Sequence, residues 1–253
     1  MHLLTWHLLP ASLYSIKVPF TYQSSLVYPL PPPSTLKGLL ANSLQRWEGI
    51  GPLEALREVE AQVRFAGAIP LEPIVLRDHI VSTVVKVGGS GKATDALSRQ
   101  FAFTPRLGAV MASDTALLVQ RLATALPRTA VYLGDSESLV TCAQVEVEEV
   151  RIYEAAAGTA LTLRMYVPVP VLEGYSVDRD IYWVQTECWK PQHLRPYLFP
   201  LQRQGHYFLP ATITGRLTQA VELTESTRFG PLVVPTVGPA PTRRRRRGRR
   251  RKE

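Results

Sequence analysis

Three consecutive prolines, Pro31–Pro33 in the stretch YPLPPPSTLKGLL (residues 28–40), constrain this chain more than any other feature. Proline fixes φ near about −65° and bars its predecessor from α conformation, so the run must arrive extended. It then meets a helical pattern in which Leu36, Leu39, Leu40, Ser43, Leu44 and Trp47 share one face. Ser34 is the expected N-cap. A stiff approach to a capped helix sets the entry angle and leaves first-turn amides free to face a ligand.

Around this corner the pattern mixes strands and helices. HLLTWHLLPA reads as a buried first strand, GPLEALREVEAQ (51–62) as a second helix with Pro52 in its first turn, and SDTALLVQRLATALPR (113–128) as an amphipathic helix stopped by proline. VRFAGAIPLEPIVLRDHIVSTVV is strand-like and broken by prolines, and AVYLG is a short strand ending in a glycine turn. TALTLRMYVPVPVLEG and RDIYWVQTECW carry the β-branched and aromatic content of strands, and HYFLPATITGRL offers another. The order implies an α+β sheet of the ferredoxin-like kind, with an insertion and a β-rich C-terminal part.

The net charge of +8 is concentrated at one end. RRRRRGRRRKE (243–253) holds nine Lys/Arg and one Glu; removing these from the 29 basic and 21 acidic residues leaves 20 of each, a formally neutral body. GPLVVPTVGPAPT, just upstream, reads as a linker, so residues 236–253 are expected to be a disordered tail that grips polyanions without sequence preference. No run of apolar residues suffices for a membrane helix, and the start of the chain reads as a strand rather than a signal peptide. Cys142 and Cys188 have no CxxC spacing and suit buried thiols in a reducing cytoplasm. No cofactor is indicated: GGSGK lacks the first glycine of a P-loop, and Ala93 stands where its hydroxyl residue belongs.

Two stretches carry a family resemblance. PLPPPSTLKGLLANSL resembles the Pro-Pro-Ser/Thr…Gly-Leu signature of the CRISPR-associated Cas-five family, and VYLGDSESLV resembles its Tyr-Leu-Gly strand and polar turn. The resemblance covers residues 1–145 best and looks most like the type I-A branch. It implies a ferredoxin-like (RNA-recognition-motif-like) palm, assigned to 1–77 and 107–235 including the β-rich extension, and an inserted β-hairpin thumb over 78–106. It further implies a noncatalytic subunit of a type I Cascade complex that holds the 5′ handle of the CRISPR RNA (crRNA). The partners implied are the backbone (Cas-seven type) and large (Cas-eight type) subunits; the arginine tail, by its charge, is expected to add nonspecific affinity for guide RNA or target DNA.

RNA handles are gripped by phosphate contacts, backbone amides and stacked bases. On that chemistry Ser34, Thr35, Lys37 and Gly38 are handle-contact candidates at the helix start. In the insertion Lys86, Lys92, Arg99 and Arg106, set among Gly88, Gly89 and Gly91 with Phe101 and Phe103 beyond, suit a flexible cationic finger. The acidic turn Asp135-Ser136-Glu137 repels phosphate and reads as a cap, a protein contact or a base-edge acceptor. A metal-independent ribonuclease of the same fold is the rival reading, drawing on His79, His193 or His206 with Tyr28 and Lys86. No adjacent Lys-His pair, as found in the type I-C branch that cuts, occurs in the chain. A stand-alone basic nucleic-acid binder is the third.

Overall fold

The computed structural model describes residues 1–19, 24–87, 91–135, 138–176, 181–189 and 193–235, with backbone alone for 24, 80–87 and 91–97. It is an α+β protein with mostly antiparallel strands and few helices. Strand β1 (His2–Pro10) is central in the first sheet, and Leu3, Leu4, Trp6 and Leu8 are fully buried. A strand apolar on both faces must be covered on both. Here α1 (Pro33–Glu48) and α3 (Ala116–Ala125) contribute buried leucines to the core, and Met165 and Phe229 of the C-terminal third join the same cluster.

After β1 the chain runs through α1 and α2 (Pro52–Gln62) into β2 (Val63–Pro70), then through a hairpin of β3 (Ile74–Val87) and β4 (Gly91–Phe103) into β5 (Leu107–Ser113). Helix α3 leads back to β6 (Leu139–Glu149). The order across the sheet is β2-β5-β1-β6, with Val131–Tyr132 at the β6 edge and every pairing antiparallel. Close contact across the β2 face depends on Gly67, where a Cβ would lie 2.1 Å from the Met165 sulfur.

The β3–β4 hairpin is paired from Val75↔Phe103 to Val87↔Gly91. At roughly 3.3 Å per residue its arms are about 40 Å long. Its root is tied into the core by reciprocal backbone bonds between Tyr14 and Ala102, both 2.8 Å. The strands therefore begin at Ile74, four residues before the expected insertion.

The C-terminal third builds three small antiparallel sheets over a second apolar cluster that includes Leu163, Leu198, Ile213 and Leu223. One reading needs correction here. Gly230–Val234, taken as the start of a linker, is a strand paired with Val221–Ser226, because Leu232, Val233 and Val234 are all buried. The arginine tail lies outside the described residues. Among the described residues no helix is long and apolar enough to cross a membrane.

Candidate nucleic-acid interface

Residues 29–33 are buried throughout. A buried extended segment would ordinarily strand its amides without partners. Four of the five residues are prolines, which have none to strand, and two of the carbonyls are met by tyrosines: the Tyr14 hydroxyl donates to Pro29 O at 2.6 Å and the Tyr166 hydroxyl to Pro31 O at 3.0 Å. The proline run is thus a solution for threading a loop through the interior.

Helix α1 starts at Pro33 with Pro32 in the capping position, where no side chain supplies a cap hydrogen bond. Ser34 is therefore inside the first turn instead of at the N-cap. Proline at the first helical position has φ preset and no amide to satisfy, which shifts the start upstream. Ser34 and Thr35 are half-buried, and theirs are the first amides of the helix.

Thr35, Gly38, Leu39 and Asn42 form one wall of a groove of about 390 Å³, and Tyr132, Gly134 and Asp135 form the other. The two sequence stretches, separated by about a hundred residues, meet here. Gly134 has φ +97°, and a Cβ on it would stand 2.4 Å from Ser15 O, so only glycine fits. The Leu133 amide donates to Ser138 O at 2.8 Å, and Ser138 Oγ bonds Asp135, which closes the turn. Arg99 from β4 pairs with Asp135, its guanidinium 4.8 Å from the Phe101 ring centroid. Arg46 stacks over Tyr132 at 5.4 Å.

Gly38 is different, since a Cβ there meets nothing within 4 Å. No packing in the free protein demands glycine in mid-helix. Gly38→Ala should therefore raise stability by about 1 kcal/mol, read by thermal melting. If a bound strand approaches this backbone, the same variant should bind RNA more weakly.

The other cationic candidates lie apart from the groove. Lys37 occupies the opposite flank of α1, is 7% exposed and pairs with Glu60 of α2 at 2.9 Å. Glu60 also accepts from the Cys188 amide at 2.7 Å. Burial pushes the Glu60 carboxyl up, but the Cys188 amide and the Lys37 ammonium outweigh it and hold it below the usual carboxylate value. Arg106 pairs with Glu72 at 2.6 Å near the hairpin root. The side chains of Lys86 and Lys92, and all of Gly88, Gly89, Ser136 and Glu137, lie outside what is described. Burial pushes the thiols of Cys142 and Cys188 up to about 12.

Of the residues weighed for cleavage, His79, His193 and His206 are exposed. Tyr28 is buried, its hydroxyl donates to Trp183 O, and burial pushes it up to about 12. Sequence reading missed Trp183 and Trp189, whose side chains are 58% and 47% exposed where strand aromatics are usually core. It also missed Glu60, which no local pattern distinguishes from the other acids of α2.

A family model described as CRISPR-associated protein (Cas_Cas5) matches residues 8–186, well over half the chain. This chain belongs to that family. A role in CRISPR defence goes with that membership. No match was found among curated proteins. Among solved structures, a CRISPR protein from Archaeoglobus fulgidus superposes with a TM-score of 0.58 at 11% identity, covering 93% of this chain and 100% of that one. That likeness is one of fold. Weaker matches include a chain of a Type III-B Cmr-beta complex bound to cognate target RNA (TM-score 0.44, 12% identity, 85% of this chain and 86% of that one). Another is a chain of a CRISPR RNA-guided surveillance complex (TM-score 0.39, 14% identity, 90% and 91% covered).

Proposed function

We propose that this member of the CRISPR-associated family is a noncatalytic RNA-binding subunit of a type I surveillance complex and holds the 5′ handle of the crRNA. The observation that carries the reading is the meeting of the PPPSTLKG and VYLGD stretches in one groove. The groove offers the hydroxyl of Thr35 and the bare backbone at Gly38, and Arg99 pairs with Asp135 of its wall. The strand order β2-β5-β1-β6, with helices after β1 and β5, supports reading the sheet as a ferredoxin-like palm and the β3–β4 hairpin as its thumb. Backbone and large subunits are its partners in this reading, and the arginine tail adds affinity for guide RNA or target DNA.

The ribonuclease alternative needs a base near a 2′-hydroxyl and a cation for the developing charge. Tyr28, one member of the set weighed for it, is engaged in the interior. Incubating the pure protein with repeat RNA in EDTA should leave the RNA bound and intact. Site-specific cutting, lost on substitution of His79, His193 or His206, would replace this reading with the enzymatic one. Deleting 243–253 should lower affinity and flatten its salt dependence while preference for the handle persists. Loss of all RNA affinity on that deletion would identify a stand-alone basic binder.

A further inference from the structure

The flank of α1 opposite the groove borders a cavity of about 260 Å³, walled by α1, α2, β2 and the C-terminal third. It is smaller than the roughly 300–1,000 Å³ typical of a site for a drug-sized ligand, so it suits one ring system. Its apolar side is Phe65, Met165, Tyr166 and Tyr197, with the two tyrosine rings edge-on at 5.6 Å. The Tyr166 hydroxyl is spent on Pro31, which leaves the ring as a fixed surface. Met165 sits against Gly67, so the missing Cβ of β2 is what keeps this sulfur out of the open space.

Its polar side is the Lys37–Glu60 pair. A buried ion pair adds little to stability compared with apolar packing. It does supply a donor and an acceptor side by side: Lys37 has two further N–H groups, and each Glu60 oxygen can accept a second bond. That pairing matches the edge of a nucleobase, where donors and acceptors alternate. Exposed Arg195 lies on the wall. Pro235, the last described residue, also lines the cavity. A ligand carrying a phosphate beside its ring could meet Arg195 across the same rim that holds Glu187, and a neutral metabolite would not use that cation.

We infer that this cavity is a pocket for one unstacked nucleobase of the bound RNA, stacked on the aromatic side and read at its edge by Glu60 and Lys37. The inference rests on the RNA-binding reading above and adds a second contact surface to it, on the other flank of the same helix. Thr186, half-exposed on the wall, provides the test. Thr186→Trp would fill the space from its rim, and a thermal melt would verify the fold. Wild type and variant would be titrated with repeat RNA, intact or with one abasic nucleotide moved along the handle.

A stacked base is worth about 1–3 kcal/mol, or roughly 5- to 150-fold in affinity. The variant should lose affinity for intact RNA within that range. One abasic position should cost wild type a similar factor, and the two changes together should cost no more than either alone. Arg195→Ala, on an exposed side chain, should lose a smaller factor and lower the salt slope. Unchanged RNA binding by folded Thr186→Trp would overturn the pocket while leaving the groove reading in place. So would multiplied losses at every abasic position, or failure of the variant to join its protein partners with RNA binding intact. No RNA binding by wild type would overturn both readings.

Discussion

Gly134→Ala is expected to destabilise the protein by about 3 kcal/mol, the sum of left-handed backbone strain and overpacking against a neighbour. The clash is with backbone, Ser15 O at 2.4 Å, so no side-chain rotation relieves it. For a domain of this size the melting temperature should fall by roughly 10 °C. The damage should also reach the groove, since Gly134 positions Asp135 and with it Arg99. RNA affinity should therefore drop even well below the melting temperature. The contrast with Gly38→Ala is the informative part, because two glycines of one groove should respond with opposite signs of stability change. An unaltered melting temperature for Gly134→Ala would show that the turn is not held as described.

Lys37→Ala should cost about 3 kcal/mol, because it leaves the largely buried Glu60 carboxylate beside an empty space with only the Cys188 amide to offset its charge. Chemical denaturation would measure this, and Lys37→Met with Glu60→Gln should recover much of the loss. The pH dependence separates this from mere loss of packing. In wild type the Glu60 carboxyl is held below its unfolded value, so its contribution is complete above about pH 4.5 and is lost as pH falls through the folded pKa. Without Lys37 burial is opposed only by Cys188, so the Glu60 carboxyl moves up from its wild-type position, and the variant's deficit is largest at neutral pH and narrows as Glu60 protonates. A gap between the two proteins that stays constant from pH 7 to pH 4 would contradict the pairing.

Which parts were legible in the sequence follows from the range of the interactions involved. Helix α1 could be read because Leu36, Leu39, Leu40 and Leu44 repeat with the helical period and are all buried. Trp47 falls on that pattern yet is exposed, lying under Arg128 at the helix end, where a guanidinium replaces the core as its cover. Ser34 was misplaced because capping preference competes with three prolines that satisfy the first turn by having nothing to satisfy. The strand at Gly230–Val234 hid among prolines and glycines because its partner supplies the order that its own sequence lacks. The hairpin was recognisable as an insertion, but the basic and glycine-rich composition concealed how far its ladder continues. At the site, Thr35 and Gly38 could be found from the motif, whereas the partnership of Lys37 with Glu60 joins two helices and leaves no mark in either.

The placement of β1 at the centre of its sheet bears on biosynthesis. β1 leaves the ribosome before either of its neighbours: His2 pairs with Ser113 on one side and Glu149 on the other. Until those arrive, Leu3, Leu4, Trp6 and Leu8 have no lasting shelter, and the proline corner waits still longer for Tyr166. Such late closure makes folding slow and its intermediates sticky. Nascent chains stalled before residue 149 should engage chaperones, and coexpression with a partner that covers the emerging strand should raise soluble yield.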